Sequence, residues 1–158
     1  MERLDDPLNA RRIHDALLLS RRPVLLMPPE GGLPFGRTIA IGWKDGEPAH
    51  HAVASAAPLL ERASQLVLIR IGHRPGDDRD ALPAMLARVA DTVPIREISE
   101  RLSDDEAVGK QLLRLAHEAG ADLLVMGGTA RGSMAEMLLG GATGTVLDIA
   151  DIPVLMQH

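Results

Sequence analysis

The stretch VMGGTARGSMAEMLLGGATGTV, residues 125–146, is the part of the chain whose residue types and spacing can do chemistry. It follows an apolar run, carries Gly127, Gly128, Gly132, Gly140, Gly141 and Gly144, and leads into a helix-like segment. A strand that enters a glycine-rich turn and then a helix start offers backbone N–H groups and a helix dipole to an anion. Two sharper mechanisms are excluded by spacing. Gly127 and Gly132 stand as far apart as the glycines of a P-loop, but Ser133 and Met134 follow, so the lysine that reaches terminal phosphates is missing. Ser133 is flanked at two residues' distance by Arg131 and Ala135, which rules out a nucleophile elbow. Either a tight turn or an anion site remains, and Gly140 to Gly144, where the helix starts, is the natural phosphate position.

Other reactive side chains add little. His50 and His51 are adjacent on a helix and point about 100° apart, which does not chelate a metal from one face. There is no cysteine, hence no thiolate nucleophile, disulfide or cysteine-based zinc site. The acidic run GDDRD, residues 76–80, reads as a solvated loop rather than an acid/base pair. Trp43 closes a strand near the glycine-rich stretch, where it either packs in the core or stacks on a base. Arg131 is either a solvated loop charge or a phosphate clamp.

These residues need a scaffold, and hydrophobic periodicity supplies one. RTIAIGW (37–43), QLVLIRIG (65–72), VPIREIS (93–99) and ADLLVMG (121–127) are short runs rich in branched residues, the pattern of strands buried on both faces. A helix is expected over 47–63, with Ala52, Val53, Ala56, Leu59 and Leu60 on one face and Pro58 as a kink or internal boundary. A shorter one is expected over 81–91. A third begins after Ser103 and Glu106, spaced as a capping box, runs through Val108, Leu112, Leu113 and Ala116, and stops at Gly120. Strands alternating with such helices predict a doubly wound α/β domain, whose ligand crevices open at the carboxyl ends of the strands.

An internal repeat bears on the first thirty residues. ALLLSRRPVLLMP (16–28) matches VLDIADIPVLMQ (146–157) in pattern, a helix end followed by Pro-Val-Leu opening a strand, with Pro23 and Pro153 in register. The segment therefore reads as the last helix and strand of a preceding repeat, and PPEGGLPFG (28–36) as a linker. Strand 23–28 is expected to pair with strand 153–157, within one chain or between two, because unpaired both would be apolar edges.

The 158 residues suit one domain with an aliphatic core, since the chain has one Trp, one Phe and no Tyr. With 17 basic against 22 acidic residues the net charge is -5, which gives no footprint for nucleic acid or an anionic membrane. The start MERLDDPLNARR lacks the apolar stretch of a signal peptide, and no run is long enough to span a membrane, so a cytoplasmic location is expected.

Taken together, the segments TIAIGWKDGEPAHHAVASAAPLLERA and ADLLVMGGTARGSMAEMLLGGATGTVLDIADIPVLMQH resemble the universal stress protein family, from Arg37 to the end. The resemblance implies a five-stranded parallel sheet with helices on both faces, of the adenine-nucleotide α-hydrolase-like type, and homodimers made by antiparallel pairing of last strands. It also makes residues 37–158 a universal stress protein domain and residues 1–36 the remnant of a first repeat plus linker, as in tandem members.

Nucleotide-binding members carry Gly, two residues, Gly, nine residues, then Gly followed by Ser or Thr. Here those positions hold Gly127, Ala130, Gly140 and Gly141. The aspartate such members place after the first strand falls on Lys44, with Asp45 one residue on. By resemblance the nucleotide site comprises Gly42, Trp43, Lys44 and Asp45 from the first loop, with Ile71 from the next strand. It continues through Met126, Gly127, Thr129, Ala130 and Arg131, and ends at Gly140, Gly141, Ala142 and Thr143. Its ligand would be ATP or AMP with Mg²⁺. Ala130 adds a Cβ, Gly141 lacks a hydroxyl that Thr143 can partly replace, and Lys44 reverses a charge. The expected function is thus a non-enzymatic stress-response signalling or sensing module that works through protein contacts, with weak or lost adenine-nucleotide binding. The alternative is an ATP-binding protein with slow hydrolysis, for which no base or metal ligand is evident.

Overall fold

A computed structural model of the chain describes residues 22–28, 34–72, 84–128 and 141–158. The helix of the proposed remnant, most of the linker, the GDDRD loop and residues 129–140 of the glycine-rich stretch lie outside them. Among the described residues six strands form one sheet: β1 (Val24–Leu26), β2 (Thr38–Gly42), β3 (Gln65–Ile71), β4 (Ile95–Glu100), β5 (Leu123–Gly127) and β6 (Val154–Gln157). The helices described with them are α1 (Glu47–Leu60), α2 (Ala84–Val89), α3 (Val108–Glu118) and α4 (Ala142–Ile149).

The spatial order is β1-β6-β5-β2-β3-β4. Strands β2 to β6 are parallel, as a doubly wound fold requires, and β1 adds an antiparallel sixth strand at the β6 edge. Successive side chains of each strand go to opposite faces, and both faces are covered. Ile39, Ile41, Leu66, Leu68, Leu123, Val125 and Leu155 pack under α1 and α2. Ala40, Val67, Ile69, Leu124, Met126, Val154 and Met156 pack under α3 and α4. Burial on both faces is why β2, β3, β5 and β6 read as unbroken apolar runs rather than alternating ones. β4 does not share it: at the sheet edge Ile95 and Ile98 are half-buried while Arg96, Glu97 and Ser99 are exposed, so the expectation of two-face burial for VPIREIS does not hold.

Helix boundaries follow local chemistry, with one correction. α3 starts at Val108 with Ala107 as its N-cap and no side-chain cap, so Ser103 and Glu106 do not form a capping box. The Ser103 hydroxyl instead accepts from the Asp105 N–H at 3.2 Å, and Glu106 turns to Arg114 at 3.4 Å, because an ion pair inside the crossover competes for its carboxylate. At the other end the expected stop is present. Gly120 has φ +71°, its N–H donates to the His117 carbonyl at 2.8 Å, and the Ala121 N–H reaches back to Ala116 at 2.9 Å, which is a Schellman closure. α1 continues through Pro58 to Leu60, so that proline sits in the final turn and does not divide the helix.

Two polar brackets hold the connections. The Asp122 carboxylate accepts the N–H groups of Gly36, Arg37 and Thr38 at 2.8, 3.1 and 3.3 Å, which fixes the entry into β2 against the entry into β5. At the far side, fully buried Gln111 donates to Glu100 and to the Arg101 carbonyl, both at 2.7 Å, and accepts from the Ser103 N–H at 3.3 Å. Arg114 pairs with Glu100, Glu106 and Glu118 on the same crossover. The Gln111 amide, followed by Arg114, holds the Glu100 carboxyl below its ordinary range against an opposing effect of desolvation.

A carboxylate with a lowered folded-state pKa adds stability that is complete above its unfolded pKa and is lost as pH falls through the folded value. We therefore expect Gln111→Leu to destabilise the protein at neutral pH. The gap to wild type should narrow below the ordinary carboxylate range, when measured by urea denaturation across pH 7 to 3. A gap independent of pH would show that Glu100 is not held by Gln111.

Candidate functional site

The strand order places a topological switch point between β2 and β5. From β2 the chain proceeds outward through β3 and β4, then returns to the other side of β2 to lay down β5 and β6. Crossovers at such a point leave on opposite faces, so a crevice opens at the carboxyl ends of the two strands. Gly42 and Met126 are register partners there, and Gly42 also lies beside Ile69 of β3. The fold thus brings together the two segments that the sequence singled out, Gly42 to Asp45 and Met126 to Gly127. Ile71 stands one strand away, half-buried at the end of β3.

The side chains at this crevice are largely engaged in structure. Trp43 is buried in the α1-side core, its N–H extends the ladder to the Ile69 carbonyl at 2.9 Å, and its ring meets His50 edge-on with centroids 5.0 Å apart. Of the two readings of this residue, core packing describes its position. Asp45 is exposed and pairs with His50 Nε2 at 3.1 Å across the first turn of α1, while Lys44 is exposed beside it. Among the described residues no group of three His, Asp or Glu side chains is placed to hold a metal ion.

Gly127 has a different reason to be glycine from phosphate binding. A Cβ at this position would lie 2.7 Å from the Ala49 nitrogen and 2.8 Å from the Pro48 carbonyl carbon. The backbone of β5 therefore runs directly against the first turn of α1, and only a residue without a side chain allows it. Gly141 is the opposite case. It is the N-cap of α4 with φ -65° and ψ 151°, exposed, with open space where a Cβ would stand, and it has no side chain to cap the helix. Ala142 follows half-exposed, and Thr143 is only 2 % exposed and already has a partner. Thr129, Ala130, Arg131 and Gly140 lie outside the described residues.

Sequence reasoning missed one part of this site. The Gly128 N–H donates to the Gln157 carbonyl at 2.8 Å, and His158 Nδ1 lies 3.0 Å from the Gly128 carbonyl. The Ser55 hydroxyl donates to the Gln157 side chain, and His51 Nδ1 is 3.3 Å from the His158 carbonyl. The last residues of the chain thus tie the start of the glycine-rich stretch to α1. No local motif marks them, because all three segments are far apart in sequence and meet only through sheet pairing.

A mostly parallel sheet with this switch point and helices on both faces defines a doubly wound α/β class. Comparison with known proteins narrows it: the profile of the universal stress protein family matches residues 36–158, and the chain belongs to that family. A universal stress protein from Archaeoglobus fulgidus DSM 4304 superposes with a TM-score of 0.67 at 20% identity over 87% of this chain. That alignment covers 50% of the archaeal protein, so the chain spans about half its length. Protein Rv1636 from Mycobacterium tuberculosis H37Rv superposes with a TM-score of 0.52 at 25% identity, over 80% of this chain and 98% of its own. No curated protein sequence matches the chain.

The two glycines separate in substitution. Gly127→Ala is expected to lose about 1–3 kcal/mol, since its methyl meets backbone that cannot step aside. Gly141→Ser should gain roughly a few tenths of a kcal/mol by capping α4. Urea midpoints of the two variants check this, and equal stability of Gly127→Ala and wild type would contradict the close approach of β5 and α1.

Proposed function

We propose that the chain is a non-enzymatic stress-response module that signals through protein contacts in the cytoplasm, with adenine-nucleotide binding that is weak or lost. Family membership supports the stress-response role. The observation that carries the rest is the state of the α4 N-terminus, where Gly141 offers backbone but no hydroxyl and Thr143 is buried and engaged. A phosphate group at this crevice would meet N–H groups and the helix dipole, each of modest worth when no side chain closes around the anion. Lys44 stands where a carboxylate would receive the ribose, and a net charge of -5 does nothing to attract a polyanion. Should a nucleotide bind, Gly42 to Asp45 and Ile71 would lie on the base and ribose side. Met126, Gly127, Thr129, Ala130, Arg131 and Gly140 to Thr143 would lie on the phosphate side, with ATP or AMP and Mg²⁺ as the ligand.

The same reading treats residues 1–36 as the end of a preceding repeat and residues 37–158 as the domain proper. Antiparallel pairing of β1 with β6, the matched Pro-Val-Leu segments, and a structural match reaching beyond the family-matched residues support this division. Self-association is assigned to the last strand, residues 153–157, with residues 23–28 at the same edge.

Calorimetric titration tests the nucleotide reading. Wild type should give no heat with ATP·Mg²⁺ or AMP below the millimolar range, and Ala130→Gly/Gly141→Ser should bind at least tenfold more tightly. Micromolar binding by wild type would overturn the weakened site, and sustained phosphate release from ATP would favour the slow hydrolase instead.

A further inference from the structure

The β1–β6 pair has an internal symmetry. Val24 faces Met156, Leu25 faces Leu155 and Leu26 faces Val154. β1 and its leading proline read Pro-Val-Leu-Leu, while β6 and its leading proline read Pro-Val-Leu-Met. The antiparallel register therefore sets the third residue of one segment against the third of the other, the second against the fourth, and the fourth against the second. Leu25 and Leu155 lie on a pseudo-twofold axis, and each proline falls just beyond the pair at opposite ends, where a missing N–H ends the ladder.

A second copy of β6 laid antiparallel on the first about a true twofold would make the same pairs, with Leu155 facing its own counterpart and Val154 facing Met156. A self-complementary edge of this kind is what an isologous contact requires. In the single chain that place is taken. Val154, Leu155 and Met156 are 2%, 7% and 0% exposed, packed in the cores on the two faces of the sheet, and along their edge β1 contributes only three paired residues. β1 is itself loosely covered, with Leu25 at 42% and Met27 at 43% exposure. Removing it would bare a wholly apolar strand edge, which does not stay unpaired in water.

We infer that β1 is an intrachain surrogate for the β6 strand of a second copy, so that it and a partner molecule compete for one edge. With β1 seated, the chain is complete by itself at this edge. With β1 displaced, two chains join through β6 into a continuous sheet with Leu155 on the axis. This rests on the assignment of self-association to the last strand and adds what controls it: β1 sets the equilibrium between the closed single chain and the joined pair, and its short ladder makes the exchange accessible.

The absence of native cysteine makes the test direct. Residues directly opposite in antiparallel strands lie within disulfide reach. Under oxidising conditions full-length Leu155→Cys should remain uncrosslinked, whereas Leu26→Asp/Leu155→Cys, with a charge forced under β1, should form at least tenfold more disulfide-linked dimer on a non-reducing gel. Leu25→Cys/Leu155→Cys, which leaves the rest of β1 intact, should close its disulfide within one chain and run as a monomer. Crosslinking of Leu155→Cys alone to the same extent would show that β1 does not guard the edge, although association through β6 would stand. A folded Leu26→Asp/Leu155→Cys that stays monomeric would remove the association itself. An interchain disulfide in Leu25→Cys/Leu155→Cys would mean that β1 is exchanged between chains, which also overturns the surrogate.

Discussion

Burial of four parallel strands, β2, β3, β5 and β6, on both faces is the constraint from which the rest of this molecule follows. A strand covered above and below presents mainly apolar side chains, so Ile39 to Ile41, Leu66 to Ile69 and Leu123 to Met126 are committed to packing. Polar chemistry is pushed to the ends of the strands. At the amino ends it serves structure, as Asp122 gathers three N–H groups and joins two strand entries. At the carboxyl ends, the reversal of direction between β2 and β5 opens the crevice in which the fold class places ligands.

What that crevice can do is limited by how tightly the elements around it pack. The approach of β5 to the first turn of α1 at Gly127, the burial of Trp43 and the tie from Gly128 to the last residues of the chain each commit a group beside the crevice to structure. Among the described residues, the start of α4 is left open, where Gly141 exposes backbone without a hydroxyl. Two of the described glycines have structural roles: Gly127 answers to helix packing and Gly141 to an uncapped helix start.

The sheet edge shows the same physics from the other side. β6 is apolar over Val154 to Met156, the character of an interior strand, and an interior strand needs a neighbour. The chain meets this need with a short segment that copies β6 in sequence and mirrors it in register.

The fold class, the strands and the location of the crevice are legible in the residue pattern, because two-faced burial leaves a direct record in apolar runs such as QLVLIRI and LLVMG. The sequence also disclosed the β1–β6 relationship through the repeated Pro-Val-Leu. Local chemistry was legible where it is carried by backbone constraint, as at Gly120, and misleading where side chains had several partners to choose from. Ser103 and Glu106 have capping-box spacing, yet Glu106 goes to Arg114, eight residues along the chain. That Gly127 faces α1, that Thr143 is buried, that Gln157 and His158 close on Gly128, and that β1 turns back onto its own chain emerges from the folded arrangement alone. Each of these depends on a distance between segments remote in sequence, and residue type and spacing carry no record of such distances until the sheet has set its order and register.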